Sequence, residues 1–381
     1  MRRVVVTTGT RAEYGILRPV LHAISTNKKF ELFLIVTGSH LSKKYGLTIN
    51  EIKKDGLRIF AKVDMIPKEN TAYSMSKSVG EGIIKFSKIF KRIKPHINLV
   101  LGDRDEMLAS AIAAYHMNIP NAHIHGGDKS GGIDEYNRHA ITKISNIHFA
   151  ATKESRDRII RMGENPKYVF LTGSPSIDEV MSNKITNKKD LELEYGIRFT
   201  GNEILLLYHP VTTDLDKSEK EVRNILKVII KIKHTTITIF PNSDAGSNKI
   251  RGYLKSYSNK YKFIRTYITV PRNDYLGMLK NCGVLVGNSS SGMIEASYFN
   301  TPIVNIGDRQ KGRERGRNVI DVKSGSPSSI YVAIQTALKR KSSGKSIVDY
   351  AYGRGNAAEM IVKYLEKIPL GKELIQKELH Y

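Results

Sequence analysis

Residues 97–118 read INLVLGDRDEMLASAIAAYHMN, and the change of pattern at Gly102 decides the fold. Ile97 to Leu101 form a near-continuous apolar run, as in a strand buried on both faces. From Asp105 the apolar residues return at helical spacing. A strand, a glycine turn and a helix make half of a βαβ unit, and NAHIHGG (121–127) starts the next strand soon after. Working outward, RRVVVTTG (2–9), FELFLIVTG (30–38) and IHFAAT (147–152) repeat the strand pattern, with amphipathic stretches between most of them. A second series runs through EILLLYHP (203–210), TTITIFPNSD (235–244), YKFIRTYI (261–268), GVLVGNSSSG (283–292) and TPIVNIGDR (301–309). Two doubly wound, Rossmann-like α/β domains are therefore expected. The break falls at LTGSPSIDEV (171–180), where Gly173, Ser174 and Pro175 interrupt the pattern. The expected domains are 1–175 and 176–354, with the segment 355–381 packing back on the first. Ligands of open parallel sheets sit at the carboxyl ends of the strands, so substrate is expected in a cleft between the two domains.

Composition narrows the class. The chain has 381 residues, 40% of them hydrophobic and 26% charged, in keeping with a soluble enzyme of two domains. No window approaches the ~18–20 apolar residues of a membrane span. The N-terminal MRRVVVTTGT lacks a secretory apolar core, so a cytoplasmic location is expected. The single cysteine, Cys282, reads as a small buried hydrophobe between a helical and a strand-like segment. A net charge of +24 invites a nucleic-acid reading. The lysines are spread over every helical segment, however, without the aromatic, zinc-ligand or heptad patterns of nucleic-acid modules, and no nucleic-acid partner is expected.

The richest stretch is HIHGGDKSGGIDEYNRHAITK (123–143), which crowds histidines, acids, bases and glycines just after a strand. So much charge and backbone freedom suits a solvated loop or a place where chemistry happens. Other strand ends carry candidates too. Arg11, in VVVTTGTRAEYG, can take a phosphate bidentately or hold a turn through an ion pair; the glycine spacing fits neither a dinucleotide fingerprint nor a P-loop. Asp103 sits where strand meets helix, a position that also suits an N-cap. His209 emerges at a strand end before Pro210. In VGNSSSGMIEASYF a turn precedes a helix, whose N-terminal N–H groups and the hydroxyls of Ser289 and Ser290 can face an anion. Glu295, placed inside that helix, can accept two ribose hydroxyls, and Arg309 ends the next strand. Together these residues suggest a nucleotide diphosphate site. His123 and His125 lack a further acid at metal-ligand spacing, and no metal is expected. For His139 an active and a structural role remain open.

The ordered motifs GTRAEYG, GDRDEMLA, HIHGGDKSGGIDEYNRHAITK, TGSPSID, HPVTTD, PNSDAGS, GNSSSGMIEA and NIGDRQKGRERGRNVIDV cover nearly the whole chain. In them the chain resembles the hydrolysing UDP-N-acetylglucosamine 2-epimerases, the bacterial-type enzymes of sialic acid biosynthesis and the epimerase half of the bifunctional animal enzyme. Non-hydrolysing relatives have Val-Glu-Ala-Gly after the first histidine, where this chain has Ile124, His125, Gly126 and Gly127. The resemblance implies a GT-B-like fold and conversion of UDP-GlcNAc and water into ManNAc and UDP without an organic cofactor. It further implies a UDP-sugar as the partner, and homodimers or homotetramers are common in the family. By motif position the catalytic acids are Asp103, Asp128 and Asp134, with Asp128 one methylene shorter than the family's usual Glu. Arg11, His209, Ser289, Ser290, Glu295 and Arg309 fall to UDP. The four glycines 126, 127, 131 and 132 are expected to let the backbone approach the sugar. The same chemistry on a UDP-2,4-diacetamido-2,4,6-trideoxy-hexose is the first alternative; a GT-B glycosyltransferase and a non-catalytic binding protein are the others.

Overall fold

A computed structural model describes every residue except 68, 70, 183, 243, 324, 347 and 381, so Ser243 of PNSDAGS and Tyr381 of the final segment lie outside the described residues. Thirteen strands are present among them. β1 (Arg2–Thr8), β2 (Phe30–Thr37), β3 (Ile59–Val63), β4 (Ile97–Leu101), β5 (Asn121–Ile124), β6 (Ile147–Ala150) and β7 (Val169–Leu171) form one sheet. β8 (Ile204–Leu207), β9 (Thr236–Ile239), β10 (Ile264–Tyr267), β11 (Val284–Gly287), β12 (Ile303–Ile306) and β13 (Val319–Val322) form the other. All the pairings are parallel. The orders are β3-β2-β1-β4-β5-β6-β7 and β10-β9-β8-β11-β12-β13. In each sheet the chain reverses its direction of travel once, between β1 and β4 and between β8 and β11. Those switch points open a crevice at the strands' carboxyl ends.

The central strands follow from their sequences. β4, β8 and β11 are buried at every residue, as continuous apolar runs require when helices cover both faces. β3, β7 and β13, which the apolar patterning does not single out, are all edge strands. Their alternating or partly exposed residues, as in Ile59-Phe-Ala-Lys-Val63, reflect a position with a neighbour on one side only.

The chain divides into two compact units, 1–129 with 133–181 and 352–381, and 130–132 with 182–351. The crossings thus lie beyond the expected 175/176 and before 354/355. Pro175 starts a helix, Pro175–Val180, with Ser174 as its N-cap, and the residues after Pro175 up to Met181 stay in the first unit. Ile177 of that helix is fully buried. The last long helix, Ala357–Lys367, lays Ala358, Ile361, Val362 and Leu365 into the core formed by Val4, Leu17, Val20 and Leu21. Arg2 donates to the carbonyls of Leu365 and Ile368 at 2.6 and 2.7 Å, closing its C-terminal end. At its other end Asp178 accepts from the N–H groups of Ala357 and Ala358 at 2.9 and 2.7 Å. No helix among the described residues is long and apolar enough to cross a membrane. Cys282 is buried and free where the Arg272–Asn281 helix gives way to β11.

Because Asp178 satisfies two N–H groups that the helix itself cannot, Asp178→Ala should cost ~1 kcal/mol. For a unit of this size that is about 2–4 °C in Tm, measurable by thermal unfolding followed by circular dichroism.

Candidate active site

In the first unit one arginine meets two of the candidate acids, Asp103 by its carboxylate and Asp128 by its backbone carbonyl. Arg138 lies in the Ile133–Lys143 helix and is only 2% exposed. It ion-pairs with Asp103, which follows β4, and its Nη1 donates to the Asp128 carbonyl at 3.1 Å. Glu135, one turn earlier, lies 3.7 Å from the same nitrogen. Asp103 is therefore not the cap of the helix after β4; Arg104 occupies that position. Asp134 sits half-buried in the first turn of the arginine's own helix, four residues before it and so on the same face.

Asp128 is more enclosed than its loop suggests. Its side chain is 2% exposed, accepts from Ser155 Oγ at 2.7 Å and has His125 Nδ1 3.5 Å away. A Cβ on Gly127, whose φ is +73°, would lie 2.3 Å from the Ser155 carbonyl. A Cβ on Gly131 would lie 2.6 Å from the carbonyl of Asp308, beside the bond from the Gly131 N–H to the Arg309 carbonyl at 2.7 Å. At both positions a side chain would run into protein backbone.

The two histidines before them diverge. β5 ends at Ile124, and His125 takes a left-handed φ of +63°. It is not on a strand with His123, and its Nε2 meets Ser174 Oγ at 2.9 Å. His123 meets the Gly102 carbonyl and Thr142 Oγ1 instead, and burial pushes its imidazole down to about 3, so it is neutral. His139 pairs with Glu135 at 3.1 Å. No group of three metal-ligating side chains occurs among the described residues.

In the second unit a neutral amide does the joining. Asn288, 1% exposed and just past β11, accepts from the His209 N–H at 2.7 Å and donates to the His209 carbonyl at 2.8 Å. Its own carbonyl accepts from Arg309 Nη1 at 3.3 Å and Gln310 Nε2 at 2.9 Å. His209 and Arg309 are thereby fixed beside Ser289, and Ser290 follows as the first residue of a helix. That helix is short, Ser290–Ile294, and Glu295 lies just beyond it rather than inside it. Arg272 holds both oxygens of Glu295, at 2.6 and 3.1 Å, with both side chains buried. Glu295 is thus the anion of a buried bidentate pair. Arg11 begins the Arg11–Thr26 helix directly after β1, in the first unit. Arg272 and Ser155 belong to no pattern, and Asn288 falls within GNSSSGMIEA with nothing to single it out; each is a single polar residue in a loop or first turn, and only its partners reveal it.

Two Rossmann-type units with polar residues at their switch points place the chain in the GT-B-like α/β class. The chain belongs to the UDP-N-acetylglucosamine 2-epimerase family, which matches residues 22–366. It is 39% identical, over 99% of both chains, to the UDP-N,N'-diacetylbacillosamine 2-epimerase (hydrolyzing) of Legionella pneumophila. It is 31% identical to the UDP-N-acetylglucosamine 2-epimerase of Neisseria meningitidis, over 97% of this chain and 95% of that one. The crystal structure of UDP-GlcNAc 2-epimerase from Neisseria meningitidis bound to UDP-GlcNAc superposes with a TM-score of 0.81 at 18% identity, covering 97% of this chain and 100% of that one.

Removing one partner of a buried pair strands the other charge, so Glu295→Ala should destabilise the second unit by ~3–5 kcal/mol. The double change Arg272→Met with Glu295→Leu should lose much less, as read from urea denaturation of the single and double variants.

Proposed function

We propose that this protein is a hydrolysing 2-epimerase of a UDP-linked 2-acetamido sugar. The observation that carries the proposal is the pairing of Asp103 with Arg138, which also holds the Asp128 loop by its backbone carbonyl and shares a helix with Asp134. The hydrogen at sugar C2 is hardly acidic, because no carbonyl adjoins it. A base alone does not remove it; the C1–O bond to UDP breaks first, the electron pair leaving with the phosphate, and positive charge develops at C1. A carboxylate stabilises that charge. A carboxylate then takes the C2 proton, and the C–H electrons form the C1–C2 double bond of a 2-acetamidoglucal. Water adds its oxygen to C1 while C2 is protonated from the opposite face, which inverts C2 and frees the sugar. One acid must donate where another accepts, so the carboxyls need different surroundings. Asp103, 21% exposed beside Arg138, and Asp128, 2% exposed beside Ser155 and His125, differ in this respect.

In the same proposal His209, Ser289, Ser290, Glu295 and Arg309 hold UDP, with Arg11 on the diphosphate. Glu295 offers its remaining lone pairs to ribose hydroxyls, while Arg272 cancels its charge and so removes a repulsion toward phosphate. Among sugars, the near full-length likeness to the Legionella enzyme favours UDP-N,N'-diacetylbacillosamine, the 2,4-diacetamido-2,4,6-trideoxy sugar. UDP-GlcNAc, giving ManNAc, is the second reading, supported by the Neisseria relative.

With either sugar nucleotide the purified protein should release UDP and a free 2-epimerised sugar, and in D2O the product should carry deuterium at C2. Protium at C2 by NMR, or release of unepimerised sugar, would overturn the elimination. Comparison of kcat/KM for the two nucleotides decides between them. Site roles separate in kinetics: Asp128→Asn should lower kcat by ~10²–10⁴-fold with UDP affinity kept. Arg309→Ala should weaken UDP binding by ~1.5–3 kcal/mol in calorimetry.

A further inference from the structure

The peptide of Gly9, just past β1, is the meeting point of two buried acids that the chemistry above does not use. Its N–H donates to Glu13 Oε2 at 3.1 Å, and its carbonyl accepts from Ser39 Oγ at 3.1 Å and from the His40 N–H at 3.3 Å. A Cβ on Gly9 would lie 2.9 Å from the carboxyl carbon of Glu106, so Glu106 packs against the same residue. Glu13 is 7% and Glu106 5% exposed. The turn they enclose leads straight to Arg11, through Thr10, whose hydroxyl caps the helix by accepting from the Glu13 N–H at 3.3 Å.

Two carboxyls so enclosed do not both ionise at neutral pH, because little water is present to screen one charge from the other. The surroundings show which keeps the proton. Arg104, at the start of the Asp105–His116 helix, donates from Nε to Glu106 Oε2 at 3.1 Å and so sets a cation against that carboxyl. His40, after β2, adds no charge: burial pushes it down to about 3, and its ring lies between the hydroxyls of Thr8 and Thr48. Glu13 meets burial first and the Glu106 charge second, which together push it up to about 8 against partial relief from Arg104 and the Gly9 N–H.

We propose that Glu13 and Glu106 share one proton, carried by Glu13, and that in this state they hold the Gly9–Thr10–Arg11 turn as positioning residues for Arg11. The part concerning Arg11 and the diphosphate rests on the function proposed above; the shared proton does not. When the proton leaves, two like charges press on one peptide and the first turn of the Arg11 helix shifts. The stability consequence has a definite sign. Between about pH 4.5 and 8 the folded chain holds a proton that the unfolded chain has released, so stability falls as pH rises through that window.

The test compares the wild type with Glu13→Gln, a neutral side chain of the same shape. Infrared difference spectra between about pH 7 and 9 should show the wild type losing a protonated-carboxyl C=O band that the variant lacks. Tm of the variant relative to the wild type should rise with pH across the same range. UDP affinity, by calorimetry, should fall several-fold in the wild type toward pH 9 and stay level in the variant. A band absent from the wild type, or lost equally from both proteins, overturns the shared proton. A lost band with level wild-type UDP affinity overturns the positioning of Arg11. If Glu13→Gln does not fold, Glu106→Gln is used instead, and there the Glu13 band should be lost at lower pH than in the wild type, because the second charge is gone; an unmoved band, or failure of both variants to fold, overturns the proposal. Absence of turnover with every sugar nucleotide would count against the epimerase function alone, because neither the infrared band nor Tm depends on it.

Discussion

A guanidinium cannot be buried without finding acceptors for its N–H groups, and Arg138 finds them in three different parts of the first unit. The charge is set against Asp103 at the end of β4, against the Asp128 carbonyl in the glycine loop and against Glu135 on its own helix. Taking Asp103 away leaves a buried cation without its close carboxylate, at a cost of several kcal/mol. The loop that joins β5 to that helix is rich in glycine, yet it is pinned at Asp128 from two sides, by Arg138 on its carbonyl and by Ser155 on its side chain. Chemistry at a sugar carbon needs acids held in place to a fraction of an ångström. A buried cation at the centre of three anionic or carbonyl partners supplies that rigidity from charge alone.

The second unit solves the corresponding problem without net charge. Asn288 ties the ends of β8 and β11 through one donor and one acceptor, and its carbonyl takes Arg309 and Gln310. The nearby carboxylate, Glu295, is neutralised by Arg272. The two switch points therefore have the same topology and opposite electrostatic character. One carries fixed anions suited to a developing positive charge. The other leaves cationic Arg309 beside hydroxyls and backbone N–H groups, suited to a ligand that is itself an anion.

The sequence makes the interior strands legible because burial on both faces demands runs such as VVV, LVL and ILLL, whereas β3, β7 and β13 escape notice for the reason that makes them edges. Asp103, Asp128, Arg11, His209 and Arg309 stand out because they follow such runs directly. The apolar residues of GMIEASYF continue at helical spacing and so put Glu295 inside the helix, although the helix stops at Ile294 and a 3₁₀ turn, Ala296–Phe299, follows. NAHIHGG extends the strand pattern to His125 because nothing local announces a left-handed turn at a histidine. Partnerships across long stretches of chain, such as Arg272 with Glu295 or Ser155 with Asp128, leave no mark in spacing at all.

The last long helix has a consequence for the order in which the protein is made. Ala357–Lys367 fills part of the core of the first unit, is closed at one end by Arg2 and at the other by Asp178. A chain emerging from the ribosome N-terminus first therefore exposes the apolar face of the Arg11–Thr26 helix for most of its synthesis. The second unit, apart from the short segment 130–132, is contiguous from 182 to 351 and can form its sheet before the first is complete. The unit whose strands are made earlier is thus the one that must wait, and a ribosome that stops before the Ala357–Lys367 helix leaves it with an open core.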